Sequence, residues 1–291
     1  MHVMALSFTD SDFTTPGAYR EYLLQTIPST ENRETLIVLP SFTALYLAYL
    51  FGELADVYGL DEAARKFIDL PQSWHDDITA LHQTIARDLN VWLVPGTTFV
   101  RSNSRTYHQS CLISPQGEII GRQHQAFLSR REQRWGLSRG DDLHVFKAGN
   151  YTVGIIIGTD AWYPETGRIL ALKGADLVCH PGAMPAGDNR WRQLAAMWQQ
   201  VQQNQFFCVE SQLNSMIAGE DFAAASQIHA PCEMTEGFTG ILAKESATGL
   251  AHAVLEANTR QKVISKYPLL KLQNPAAYRP LACPGGVNIE D

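Results

Sequence analysis

Residues 151–181, YTVGIIIGTDAWYPETGRILALKGADLVCHP, constrain the fold more than any other part of the chain. The run Val153 to Ile157 is continuously apolar rather than alternating, so it reads as a strand buried on both faces. Pro164 in a first turn, the apolar set Ile169, Leu170 and Leu172, and a stop at Gly174 predict a helix from about Pro164 to Lys173. A second buried strand follows from Ala175. A strand running into a helix presents the intervening turn at the carboxyl edge of a sheet, where open α/β proteins place ligands. The residue at that turn is Gly158, which offers no side chain.

The same alternation extends along most of the chain. Strands are expected at Val3 to Phe8, Thr35 to Leu39, Val91 to Val94, Ser110 to Ser114, Tyr151 to Ile157, Ala175 to His180 and Phe206 to Glu210. A late set is expected near Ala224 to Ile228, Gly240 to Leu242 and Ala251 to Glu256, close enough together to form hairpins. Trp74, Ile78, Leu81, Ile85 and Leu89 recur at helical spacing behind Ser73, which with Asp76 forms a plausible cap. A further helix carries Trp191, Leu194, Met197, Trp198 and Val201. Such βα alternation implies sheets covered by helices. Residues 1–291 are expected to form one unit with a C-terminal arm from about 262, the segment YPLLKLQNPAAYRPL being extended and proline-broken.

Composition narrows the partners. The net charge of −7, from 23 basic and 30 acidic side chains, comes without a run of like charge, which argues against nucleic acid or an anionic membrane. MHVMALSFTDSDF lacks the basic start and apolar core of an export signal, and ALYLAYLFGELA is too short to span a bilayer, so a cytoplasmic protein is expected. Cys111, Cys179, Cys208, Cys232 and Cys283 are widely spaced and form no CxxC pair, and the nine histidines form no HxH or HxxE pattern. Neither a disulfide framework, nor a metal, nor a cofactor is expected.

Six segments in order resemble the nitrilase, or carbon-nitrogen hydrolase, superfamily over nearly the whole chain. LIVLPS (36–41) looks like its strand ending in Pro-Glu. TYHQSCLISPQGEIIGR (106–122) is similar to its Tyr-Asn strand, hairpin and following strand, and RGDDLHVF (139–146) to its Gly-Asp segment. GIIIGTDAWYPETGRILALKGADL resembles the nucleophile turn with the motifs that follow it. WRQLAAMWQQVQQNQFFCVES is similar to its next helix and strand, and KYPLL near 267 to its closing arm.

The resemblance implies an αββα sandwich that pairs into dimers, and a Cys-Glu-Lys reaction centre. In that chemistry a glutamate takes the thiol proton, the thiolate attacks an amide or nitrile carbon, and a lysine stabilises the developing charge. Carried onto this chain, the three roles fall on Ser41 for the glutamate, Gln125 for the lysine and Gly158 for the cysteine. All three differ. Gly158 cannot form a thioester, Ser41 has no basic group and Gln125 has no charge. Members of such a unit act together, so losing all three leaves essentially no thiol mechanism. Glu132 matches a second family glutamate that usually contacts the lysine, while Asp160, Pro164 and Glu165 keep the turn's surroundings.

Other readings stay open. Cys179 is the best relocated nucleophile, with His180 beside it, although adjacent strand residues point to opposite faces and a small core cysteine is the plainer reading. Ser41 and Thr159 each carry a hydroxyl that a base could activate, but no histidine or lysine stands at a definable spacing. Glu132, Asp160 and Glu165 could be read as supplying an acid pair, or as carboxylates ready for a metal. With the lysine gone, Arg122, His124, Arg130 or Arg131 could replace Glu132's cation in a structural salt bridge. The expectation is a catalytically silent member of the superfamily, a homodimer or larger. It holds a small amide- or carboxylate-like ligand with Ser41, Gln125, Glu132, Gly158, Thr159, Asp160 and Trp162, and Tyr163 as a wall, or it serves as a partner of another protein. The alternative is an amidase using Cys179, and a weaker one is a subunit of a mixed assembly with an active homologue.

Overall fold

A computed structural model describes residues 1–9, 13–30, 34–188 and 190–278. Its strands are β1 (His2–Leu6), β2 (Thr35–Val38), β3 (Trp92–Val94), β4 (Thr98–Ser102), β5 (Arg105–Ile113), β6 (Ile119–His124), β7 (Leu137–Ser138) and β8 (Val145–Ala148). These are followed by β9 (Tyr151–Ile155), β10 (Leu177–Gly182), β11 (Phe207–Gln212), β12 (Met216–Ile217), β13 (Glu220–Asp221), β14 (Gln227–His229), β15 (Ile241–Lys244) and β16 (Leu250–Val254). The helices are α1 (Pro16–Thr26), α2 (Thr43–Leu50), α3 (Leu60–Ile68), α4 (Gln72–Leu89), α5 (Arg130–Arg134), α6 (Pro164–Leu172), α7 (Arg190–Gln193), α8 (Gln199–Asn204) and α9 (Ala257–Lys266).

Two mixed sheets form. One runs β16-β1-β2-β3-β5-β4, with β6 and β7 also on β5; the other runs β15-β14-β11-β10-β9-β8. In the first, β1, β2 and β3 are parallel neighbours; in the second, β9, β10 and β11 are. The late strands close the edges as antiparallel pairs, β14 with β15 and β16 with β1.

Side-chain alternation shows how the layers stack. Along β1, Val3 and Ala5 belong to one buried cluster and Met4 and Leu6 to another; along β10, Leu177 and Cys179 join the former while Val178 joins a third. Because successive strand residues face opposite ways, a strand that feeds two clusters is covered on both faces. The shared cluster, with Leu36, Val38, Val153, Ile155, Phe207 and Val209, lies between the two sheets. The other two seat helices outside: Tyr19, Leu23, Leu45, Phe67 and Ile85 on the first sheet, Leu170, Met197 and Val201 on the second. The result is the α/β, helix–sheet–sheet–helix sandwich expected from sequence. Among the described residues no helix is long and apolar enough to cross a membrane.

Several local expectations change. Helix α4 begins at Gln72 with Pro71 at its cap, so Ser73 is already inside the helix and caps nothing. The helix through Trp191 is α7 and α8 joined by a π turn, Leu194–Trp198, where Ala196 departs from helical angles at φ −91° and ψ −106°. Where described, the segment YPLLKLQNPAAYRPL follows α9 as turns and reaches a 3-10 turn at Pro275–Tyr278. Its last residues and Cys283 lie outside the described residues.

Candidate functional site

The carboxyl ends of the parallel strands from both sheets converge on one cavity of about 300 Å³. Ser41 follows β2, Gly158 follows β9, and His180, Gly182, Glu210 and Gln212 occupy the ends of β10 and β11. Phe42, Trp135, Trp162 and Phe222 supply aromatic wall.

One corner is a closed polar network. Gln125 is fully buried behind the cavity surface; its Nε2 donates to Thr159 Oγ1 at 2.7 Å and faces Glu132 Oε2 at 3.2 Å. That fixes the amide orientation, because a carboxylate cannot donate, and Gln125 Oε1 accepts from His108 Nδ1 at 2.6 Å. The other nitrogen of His108 meets Thr97 Oγ1 at 2.6 Å, and Thr97 lies 3.1 Å from Ser41 Oγ. Phe42 stacks flat on the His108 ring at 5.3 Å.

Glu132 stands at the third position of α5, in a capping box: Ser129 Oγ accepts from its N–H, and its Oε2 accepts from Ser129 N–H at 2.7 Å. Among the described residues its other oxygen meets only His108 Nδ1, 3.3 Å away and shared with Gln125. Burial alone would raise this carboxyl, but His108 and the Ser129 donors outweigh it and hold Glu132 below the usual carboxylate range. Its partner is thus His108, and none of the four cations expected from sequence. Arg131 turns away to Asp61 and Glu220, both at 2.5 Å; His124 stacks on Tyr107 at 4.2 Å; Arg122 and Arg130 are exposed.

Gly158 takes φ +48°, and a Cβ built there would sit 3.7 Å from Gln125 Nε2 and 4.0 Å from Glu132 Oε1. Open space therefore borders the less satisfied oxygen of Glu132. Thr159 and Trp162 line the cavity as expected, and Arg192 lies over the Trp162 ring at 5.4 Å. Asp160 does not line it: fully buried, it accepts the backbone N–H groups of Ala126 and Phe127 and so clamps the loop that carries Gln125. Tyr163 stacks on Phe127 at 4.1 Å instead of forming a cavity wall.

The floor comes from β10 and β11. His180 pairs in register with Glu210, and Gly182 with Gln212, which places all four on one face of the sheet. Glu210 and Gln212 are each 1% exposed. Glu210 accepts from His229 Nε2 and Gln212 Nε2, both at 2.7 Å. Burial would raise Glu210, yet His229, His180 and Gln212 together hold it below the usual value. Cys179, between Val178 and His180, points the other way, into the core between the sheets, and burial pushes its thiol up. Of the four described cysteines none lines the cavity. Among the described residues no cluster of three or more His, Cys, Asp or Glu is arranged to hold a metal ion.

Sequence reasoning missed His108, Thr97, Glu210 and Gln212. Two signals were present: a histidine inside the TYHQS strand, and Glu210 and Gln212 at a two-residue spacing ending the apolar strand FFCVESQ.

Comparison with known proteins adds the family context. The family profile described as carbon-nitrogen hydrolase matches residues 30–231. A nitrilase of Pyrococcus abyssi is 33% identical over 147 residues, covering 50% of this chain and 51% of that protein. A citrullinase of Francisella tularensis is 25% identical over 187 residues, 62% of this chain and 60% of that protein. The matched stretch thus spans between half and three-fifths of these relatives. Among solved structures, a carbon-nitrogen hydrolase from Helicobacter pylori G27 superposes with TM-score 0.74 at 18% identity over 96% of both chains. A variant of the amidase from Nesterenkonia sp. AN1, bearing the acetamide moiety of fluoroacetamide on its active-site cysteine, superposes with TM-score 0.73 at 16% identity, over 96% of this chain and 95% of that one.

Proposed function

The chain belongs to the carbon-nitrogen hydrolase family, and from that premise we propose that it has given up thiol hydrolysis and keeps the family pocket to bind a small amide-like molecule. The observation that carries this reading is the glycine at the end of the β9 strand run. Where the fold presents a side chain to the pocket, Gly158 leaves open space beside Glu132 Oε1 and Gln125 Nε2, and no described cysteine reaches that space. An amide placed there has an acceptor for its N–H in Glu132, and Ser41 is a hydroxyl neighbour for its carbonyl. Homodimer formation belongs to the same proposal; Ile169 and Leu172 leave an apolar edge of α6 exposed for it.

The relocated-thiol alternative loses support from the placement of Cys179 between the sheets with a raised pKa, since the reactive species is the thiolate. A second reading draws on the chain Ser41, Thr97, His108, Glu132. With Nδ1–H directed at Gln125, the other ring nitrogen of His108 can accept from Thr97, and Thr97 from Ser41, so Ser41 could pass a proton inward and attack as an alkoxide.

One experiment tests both. The protein is incubated with short amides, nitriles and N-carbamoyl compounds, then intact mass and released ammonia are measured. Unchanged mass with no ammonia is the expected result. An adduct lost in Ser41→Ala would establish the serine reading, and an adduct on any cysteine would overturn the proposal.

A further inference from the structure

We infer that the pocket selects a ligand bearing a primary ammonium group, seated on Glu210, Gln212 and His180. The inference rests on the reading of this cavity as a binding site and supplies the chemical class of its occupant.

The floor offers more free acceptors than free donors. His180 donates Nδ1–H to Ile156 O at 2.9 Å, so in the neutral ring Nε2 is a bare acceptor, and it has no partner among the described residues. Gln212 directs one Nε2–H at Glu210, and its Oε1 is buried without a hydrogen-bond partner. The amide cannot be turned over to relieve this, because its nitrogen would then be replaced by an oxygen facing a carboxylate. Glu210 itself is ionised, with His229 Nε2–H and Gln212 as its donors. His229 leaves its own Nδ1 buried without a hydrogen-bond partner. Glu210 is therefore a buried carboxylate with histidines and no lysine or arginine against it among the described residues, and an unpaired acceptor lies beside it. Buried groups of this kind are nearly always satisfied by something. An ammonium has three N–H donors and one positive charge, which matches three acceptors and one negative charge.

The charges around the cavity point the same way. Four carboxylates, Glu132, Asp188, Glu210 and Glu220, line it against two guanidinium groups, Arg131 and Arg192. Both guanidinium groups are engaged with rim acids: Arg131 with Asp61 and Glu220, Arg192 with Asp188. Neither Glu132 nor Glu210 has a lysine or arginine partner among the described residues; each is paired with a histidine. A carboxylate ligand would add to this excess at short range, whereas a cation relieves it, and the aromatic walls Trp162 and Trp135 tolerate a cation well. The carboxylate-like ligand expected from sequence is thereby disfavoured.

The test uses three probes that share a propionamide unit and differ only at the far end: β-alaninamide with an ammonium, butyramide with a methyl, and succinamate with a carboxylate. Titration calorimetry at neutral pH is expected to give β-alaninamide at least about tenfold tighter than butyramide, with succinamate weakest. Glu210→Gln should bring β-alaninamide down to the butyramide level. Should that variant fail to fold, Gln212→Met, which removes the orphan acceptor together with the Nε2–H donor to Glu210, should cost the ammonium probe several-fold and butyramide nothing. Butyramide or succinamate binding as tightly as β-alaninamide, or no binding by any of the three, overturns the inference. Ammonia release from β-alaninamide would instead sink the non-hydrolytic reading, and the ratio of turnover rates for the three probes would then decide the charge preference.

Discussion

His108 Nδ1 stands 3.3 Å from Glu132 Oε1, with the histidine side chain fully buried and the glutamate 6% exposed. The pair joins β5 to α5 behind the pocket, and Gln125 closes it from the side. A single substitution here removes a partner from a buried charge. His108→Ala is expected to cost about 3 kcal/mol, because Glu132 is left buried with fewer donors. Glu132 has a folded-state pKa below its unfolded value. Its contribution is therefore present above the ordinary carboxylate range and lost as pH falls through the folded value. Thermal midpoints of wild type and Glu132→Gln, followed downward from neutral pH, should converge in acid; a constant gap would refute the pairing.

Asp160 should behave in the opposite sense. Burial pushes it up to about 7, against the Phe127 and Ala126 N–H donors, and Glu132 adds to the rise. A carboxyl whose folded-state pKa is raised contributes stability that is full below its unfolded pKa and is lost as pH rises through the folded one. Between about pH 4 and pH 7 the stability of wild type relative to Asp160→Asn is therefore expected to fall as pH rises. Denaturant titrations at several pH values measure this, and a wild-type advantage that grew with pH would contradict it.

Two glycines should respond very differently to alanine. At Gly158 the added Cβ meets only ordinary contacts, and the cost comes from φ +48°, roughly 1–2 kcal/mol. At Gly96 the backbone is also left-handed, but a Cβ would collide with the Pro40 carbonyl and the Thr43 side chain. Gly96→Ala should therefore lose more than about 3 kcal/mol or fail to fold. Chemical denaturation of both variants checks the order, and equal losses would show that the turn at Gly158 is crowded after all.

Cys179 and Cys208 are fully buried, and burial pushes both thiols up. Alkylation with iodoacetamide at neutral pH, read by peptide mass, should leave both unmodified in the native protein and label them only on unfolding. Rapid native-state labelling of Cys179 would reopen its claim as a nucleophile.

Much of the architecture is written locally. Val153 to Ile157, Pro164 and Gly174 define strand, turn and helix by periodicity and by proline and glycine placement, and these signals need no distant partner. Helix α4 was legible for the same reason, although its start was not. Ser73 has the chemistry of a cap, but Pro71 ahead of it begins the helix sooner. The turns of the arm were not legible, because proline-broken sequence excludes a regular element without specifying which turns replace it.

What the sequence determined by itself is the sandwich and the identities at three of its positions, Ser41, Gln125 and Gly158, since strand ends are marked by local pattern and residue type is independent of folding. The tertiary structure alone decided what those positions touch. His108 lies 17 residues from Gln125 and 24 from Glu132, and Glu210 lies 19 from His229. No local period encodes such pairings, because they arise from the register of neighbouring strands and the closure of one sheet on the other. That closure makes Glu132 a neighbour of a histidine rather than an arginine, turns Asp160 from the pocket to the loop behind it, and buries Cys179 on the wrong face of its strand for chemistry.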